Sequence, residues 1–212
     1  MTPLAPTLEA FFTCRLINEK GASPHTIAAY RDTFRLLLTF AQQHIGKQPS
    51  ALQLEDLDAT LISAFLDHLE HQRGNSIRTR NARLAAIHSM FRYASLRHPE
   101  HAALISRVLG VPTKRFERAI VTYLTAEEID ALLAAPDRDR WIGRRDHALL
   151  TLTIQTGLRV SELARLRCHD VHLRTGPHVQ LLWKGRKQRA TPLTRQTVTV
   201  LREWLTERAG QG

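Results

Sequence analysis

Two short stretches carry the residue types that could do chemistry on a phosphodiester. The first is Thr156-Gly157-Leu158-Arg159-Val160-Ser161-Glu162-Leu163, and the second is Lys184-Gly185-Arg186-Lys187-Gln188-Arg189. A guanidinium donates two parallel hydrogen bonds to a phosphate and keeps its charge at any working pH. Arg159 follows a glycine suited to ending one helix and so opens the next, where unsatisfied backbone amides favour an anion. Glu162, three residues on, is spaced to fix that guanidinium. Lys184 precedes Gly185 at the expected tip of a hairpin, and an ammonium there has a mobile proton that can serve a leaving oxygen as general acid. Arg186, Lys187 and Arg189 would hold flanking phosphates. Taken singly, an Arg-Glu pair at this spacing is an ordinary helix-surface ion pair and a basic turn is an ordinary solvated turn; only the two together in this order point to a polyanion.

The charge distribution supports that partner. Thirty Lys and Arg stand against twenty Asp and Glu in 212 residues, a formal net charge of +10. No acid occurs between Glu70 and Glu100, a stretch that holds Arg73, Arg78, Arg80, Arg83, Arg92 and Arg97. None occurs between Asp170 and Glu203, which holds Arg174, Lys184, Arg186, Lys187, Arg189, Arg195 and Arg202. Two unbalanced basic blocks read as two surfaces for a nucleic-acid backbone, with solvated helix faces as the plain alternative. Only Cys14 and Cys168 are present, which argues against a disulfide framework and for a reducing compartment. No signal-peptide pattern opens the chain and no apolar run nears the ~20 residues of a membrane span, so a cytoplasmic protein without membrane contact is expected. Cys168-His169-x-x-His172 with His178 lacks the paired clusters of a structural zinc site, and no phosphate-cradling or dinucleotide glycine loop occurs; no metal and no cofactor is expected.

The elements that must position these residues fall into two parts. The first reads as four helices: about Leu8 to Lys20, ending at Gly21; from Ser23-Pro24 to about Ile45; from Asp58 as N-cap to Arg73 with Gly74 beyond; and from Asn75-Ser76 to about Arg97. On the fourth, Ile77, Leu84, Ile87, Phe91 and Ala94 form a core stripe. Its other side carries Arg78, Ala82, Ala85, Ala86 and Ser89, small residues beside an arginine, onto which a nucleic-acid backbone or another helix could come close. Residues 99–121 lack sustained periodicity, contain Gly110, Pro112 and the run Lys114-Arg115-Phe116-Glu117-Arg118, and read as a linker tracking along the partner's backbone.

In the second part Thr125-Ala126-Glu127-Glu128 is a capping box opening a helix to Ala134. A helix from Arg138 to Gln155 stops at Gly157. The Val160 to Arg167 helix, strand-like Val179 to Trp183 and Arg189 to Leu193 around the basic turn, and a last helix from Arg195 to Arg208 complete it. The fold expected is mainly α with a small β-hairpin sheet.

Thr156 to Leu163 resembles the T-G-x-R-x-S-E-L signature of tyrosine recombinases of the phage-integrase and Xer type, and Trp183 to Leu193 resembles that family's lysine hairpin. Ser23-x-x-Thr26-x-x-x-Tyr30, and Ser76-x-x-Thr79-x-x-x-Arg83-Leu84-x-x-Ile87 with Phe91 and Tyr93, are similar to helices of the family's core-binding domain. The resemblance implies a four-helix, SAM-like core-binding DNA-binding domain at 1–98, a linker at 99–121, and the front half of an α+β catalytic domain at 122–212. It implies Arg159 as a catalytic arginine, Lys184 as the lysine protonating the leaving 5′-oxygen, and Glu162 as the supporting acid. Thr26, Arg78, Arg80, Arg83, Lys114, Arg115, Arg186, Lys187 and Arg189 would bind duplex DNA, with other recombinase subunits as further partners in the family's tetramer.

The family also uses a His-x-x-Arg, a further His or Trp, and a tyrosine that forms a 3′-phosphotyrosyl bond. None can be placed: Tyr30, Tyr93 and Tyr123 all precede Arg159. The expectation is therefore a site-specific recombination protein, cut short of its last motifs, that binds duplex DNA without cleaving it. A non-catalytic DNA-binding regulator that keeps the fold is the rival, and a basic helical module for RNA or protein is a second.

Overall fold

A computed structural model describes residues 2–117, 122–182 and 188–210 of the 212. Its backbone divides into two compact units, 1–119 and 120–212, each with its own core.

The first unit is helical. Helix α1 (Leu4–Ala10) runs on as a π-helical stretch, Phe11–Glu19, and α2 (Pro24–Ile45) follows. Helix α3 (Ala59–Asp67) likewise continues into a π-helical turn, His68–Gln72, before α4 (Ile77–Ala94). The starts are written in the sequence. Ser23, Asp58 and Ser76 each accept a hydrogen bond from the backbone three residues on, at Thr26 (3.2 Å), Leu61 (2.8 Å) and Thr79 (3.2 Å). The expected stripe of α4 is buried at Leu84, Ile87, Phe91 and Ala94 and joins Phe11, Phe34, Leu37, Phe65 and Leu66. Phe11 sits at the centre of an aromatic group, stacked on Tyr30 at 6.2 Å and edge-on to Phe34 at 6.1 Å.

Two features depart from the sequence reading. Ala86, read as part of the open small-residue face of α4, is buried, so that face narrows to Ala82, Ala85 and Ser89. The stretch after Pro99 is not irregular throughout. It forms α5 (Ala102–Leu109), whose Ile105 and Val108 are buried in the first core. An eight-residue helix is too short for its pattern to stand out from the turns on either side, and packing on α3 and α4 holds it.

The second unit begins with α6 (Ala126–Ala134), opened by the expected capping box: Thr125 Oγ1 accepts from the Glu128 amide and the Glu128 carboxylate accepts from the Thr125 amide, at 3.2 and 2.8 Å. Helix α7 (Trp141–Thr156), the short α8 (Val160–Leu163) and α9 (Arg195–Ala209) frame a three-stranded antiparallel sheet of β1 (Val171–His172), β2 (His178–Leu182) and β3 (Gln188–Pro192). Strand β1, two residues long, has no legible alternation of its own. Ala148, Leu152, Leu158, Val179, Leu181 and Leu201 make this unit's core.

His88 locks α5 to α4. It is 8 % exposed, and its Nε2 pairs with the Val108 carbonyl at 3.1 Å. Burial is the largest influence on its pKa and pushes it below the ordinary value, against the carbonyl contact that pulls it up. A histidine neutral when folded must take up a proton on unfolding below about pH 6.5, so its presence lowers stability as pH falls below that point. In denaturant unfolding at pH 7.5 and 5.5, the native chain is expected to lose more stability over that interval than His88→Gln, which keeps an N–H donor. Equal losses would show that His88 is not held neutral.

Candidate phosphate site and nucleic-acid interface

Arg159 owes its place to its neighbours. Gly157 ends α7 in the left-handed conformation, φ 63°, which a side chain would strain. Leu158 then drops into the core at 4 % exposure, and Leu163 packs on the same core after α8. Between these two leucines Arg159 occupies the N-cap of α8 with its side chain 64 % exposed.

Glu162 closes the arrangement. Its carboxylate accepts from the Arg159 amide at 2.8 Å and from the Arg159 guanidinium at 3.2 Å, with its own side chain 14 % exposed. The backbone hydrogen bond is the largest influence on Glu162. Together with the charges of Arg159 and Arg189 it outweighs burial and holds the carboxyl below the usual range. The structure thus pairs Arg159 with Glu162, while Arg189 lies on β3 opposite Leu181. Helix α8 has four residues, and Glu162 takes the amide of its N-cap, Arg159.

The β2–β3 hairpin leaves the same core through Val179 and Leu181, and Gln155 near the end of α7 donates to the Pro192 carbonyl at 3.0 Å. Trp183, Lys184, Gly185, Arg186 and Lys187 connect the strands and lie outside the described residues.

In the first unit the arginines of α4 divide by use. Arg78 is exposed, its guanidinium 5.5 Å from the Phe116 ring centroid. Arg80 is not an outward cation: it is 5 % exposed, donates to the Pro112 carbonyl at 3.2 Å, and has Glu70 at 3.8 Å. Arg83 pairs with Asp32 of α2 at 3.0 Å with its side chain 18 % exposed. Both face inward because α4 turns them onto neighbours that its own sequence does not reveal. Lys114 pairs with Glu70 at 2.9 Å and Arg115 is exposed. Thr26, half-buried, pairs its hydroxyl with that of Ser23 at 2.9 Å. Asn81 and Glu70, given no site role by the sequence, bind Lys114 after α5, Asn81 through its backbone and Glu70 through its ammonium; no periodicity flags a side chain that grips so distant a segment. Among the described residues no group of three or more His, Cys, Asp or Glu could hold a metal, and no helix is long and apolar enough to cross a membrane.

Residues 9–98 match the family described as Phage integrase, N-terminal SAM-like domain, and residues 122–212 match the Phage integrase family. The chain is 56 % identical over 211 residues to the integrase/recombinase y4rC of Sinorhizobium fredii, covering 99 % of this chain and 64 % of that protein. It is 43 % identical over 205 residues to y4rD of the same organism, covering 96 % of this chain and 73 % of that one. A crystal structure of the XerH site-specific recombinase bound to palindromic difH substrate shares the fold, with a TM-score of 0.63 at 22 % identity, over 90 % of this chain and 55 % of that one.

Leu158→Ala is expected to destabilise the second unit by roughly 2 to 5 kcal/mol, as a buried leucine, while Arg159→Ala leaves the unfolding midpoint near the parent's. Equal shifts in thermal unfolding would mean that Arg159, like Leu158, serves packing.

Proposed function

The chain belongs to the phage integrase family, the tyrosine recombinases, and from that premise we propose that it is a cytoplasmic site-specific recombination protein that grips duplex DNA through its phosphates. Residues 1–98, with α5 packed on their core, act as the core-binding domain, the segment after α5 as the connection, and 122–212 as the front part of the catalytic domain. The Glu162 carboxylate holds both the amide and the guanidinium of Arg159, whose side chain stays exposed; that fixed, outward guanidinium is the observation that carries the reading. Arg159 binds the scissile phosphate and Lys184 protonates the leaving oxygen. Arg186, Lys187 and Arg189 hold phosphates beside it, and Thr26, Arg78, Lys114 and Arg115 do so from the first unit. Arg80 and Arg83 support that surface from beneath. Further subunits assemble with this one on the DNA.

The salt dependence tests this. A surface neutralising on the order of 5 to 10 phosphates gives a log–log slope of affinity against salt of roughly −5 to −9. A slope near zero would sink the reading.

A second reading concerns the chemistry. Tyr30, Tyr93 and Tyr123 all precede Arg159, so these 212 residues by themselves are expected to bind DNA rather than attack it, whatever a longer protein does. Transesterification needs a nucleophile in line with the leaving oxygen while cations hold the phosphate, and Arg159 and Lys184 supply the grip and a proton but not the nucleophile. On a nicked suicide substrate carrying the cognate recombination site, a denaturing gel is expected to show no protein–DNA adduct. An adduct lost in Tyr123→Phe would relocate the nucleophile. One that forms only when a fragment bearing the family's remaining motifs is added would favour a partial enzyme over a regulator.

A further inference from the structure

The segment Val111–Glu117, past α5, is strapped to the first unit at every second residue. Val111 is buried at 8 % exposure. The Pro112 carbonyl accepts from Arg80 at 3.2 Å. Both backbone polar groups of Lys114 are taken by one side chain: Asn81 Nδ2 donates to the Lys114 carbonyl at 2.7 Å, and the Lys114 amide donates to Asn81 Oδ1 at 3.1 Å. The Phe116 ring lies 5.5 Å from the Arg78 guanidinium. Thr113, Arg115 and Glu117, the alternate residues, take no part in these contacts and are exposed.

An amide side chain that donates to and accepts from the same residue copies the pairing of a neighbouring strand. It fixes the Lys114 peptide in position and orientation, where a single hydrogen bond would leave it free to pivot. Arg80 strengthens the grip by donating to Asn81 Oδ1 at 3.1 Å. Glu70 adds a charged tie to Lys114 at 2.9 Å, its carboxyl held below the usual range chiefly by that lysine.

We propose that Asn81 is a positioning residue for DNA binding. By holding the Lys114 peptide it sets Arg115 one residue from the ring under Arg78, so that two exposed guanidinium groups meet a phosphate backbone already ordered. Ordering a free arm on binding costs conformational entropy, and a strap present beforehand removes that cost from the binding step. This rests on the DNA-binding reading above, but the strap can be examined without DNA.

The experiment uses the full chain in two arms. Without DNA, hydrogen exchange of the Lys114 amide is expected to be protected in the unsubstituted chain. Trypsin cleavage after Lys114 and Arg115 is expected to be roughly tenfold faster in Asn81→Ala at an unchanged global unfolding midpoint, the shift in local opening that loss of two hydrogen bonds brings. With a mixed-sequence duplex, Asn81→Ala is expected to bind roughly three- to tenfold more weakly at each salt concentration with its salt slope unchanged, because no cation has been removed; Arg115→Ala lowers the slope by about 1. An unprotected Lys114 amide, read in the unsubstituted chain and so independent of whether Asn81→Ala folds, overturns the strap. Faster cleavage with unchanged affinity overturns the positioning role. Absence of salt-dependent binding by the unsubstituted chain overturns the DNA reading and the role with it, while the first arm still reports whether the strap exists.

Discussion

The burial of Leu158 is the contact on which the candidate site depends. A guanidinium on a long flexible stem has many rotamers, and its grip on a phosphate is only as precise as the backbone that carries it. Leu158 in the core on one side and Leu163 against it on the other leave Arg159 little freedom of position, while Gly157 allows the chain to reverse between α7 and α8. Glu162 then works on the side chain, not the backbone alone, because its two oxygens reach the amide and the guanidinium of one residue. The same core holds Val179 and Leu181. The hairpin and the arginine are thus tied to one packed set of side chains within this unit.

Much of the fold was legible because its signals are local. Ser23, Asp58, Ser76 and Thr125 satisfy backbone amides three residues away, and the glycines at 46, 74 and 157 adopt positive φ past helix ends. The stripe of α4 repeats at helical spacing over eighteen residues, long enough for the period to show. Helix α5 and strand β1 escaped notice for the opposite reason: each is too short to display a period, and each exists through contacts made elsewhere in the chain. The π-helical stretches within the first and third helices keep the helical outline, so their expected ends hold, although the first helix begins at Leu4, a turn before the expected Leu8.

The site divides along the same line. The Arg159–Glu162 pair is three residues apart and could be read from spacing. That Gln155 of α7 should hold the Pro192 carbonyl could not, since thirty-seven residues separate them in the chain. Asn81 illustrates the limit: an asparagine in the middle of a helix reads as a weak helix former, and its use emerges only when a backbone thirty-three residues on comes to meet it.

Counting charges along the chain overstated what the first unit offers a polyanion. The stretch between Glu70 and Glu100 contains no acid, yet in space it is not acid-free. Asp32 arrives from α2 to meet Arg83, and Glu70, at the edge of the stretch, meets both Arg80 and Lys114. Asp32 and Glu70 are held below the usual carboxylate range, by hydrogen bonds from Arg35 and Arg83 in the first case and from Lys114 in the second. They therefore stay ionised at neutral pH, and two carboxylates offset part, not all, of the charge of Arg35, Arg83, Arg80 and Lys114. What remains to attract a polyanion includes exposed groups such as Arg78 and Arg115. The inward arginines are not wasted by this: Arg80 binds the Pro112 carbonyl and Asn81, and so holds in place the very segment from which Arg115 projects. Basic residues close in sequence thus split into those that present charge and those that build the support for it, and burial, not composition, decides which is which.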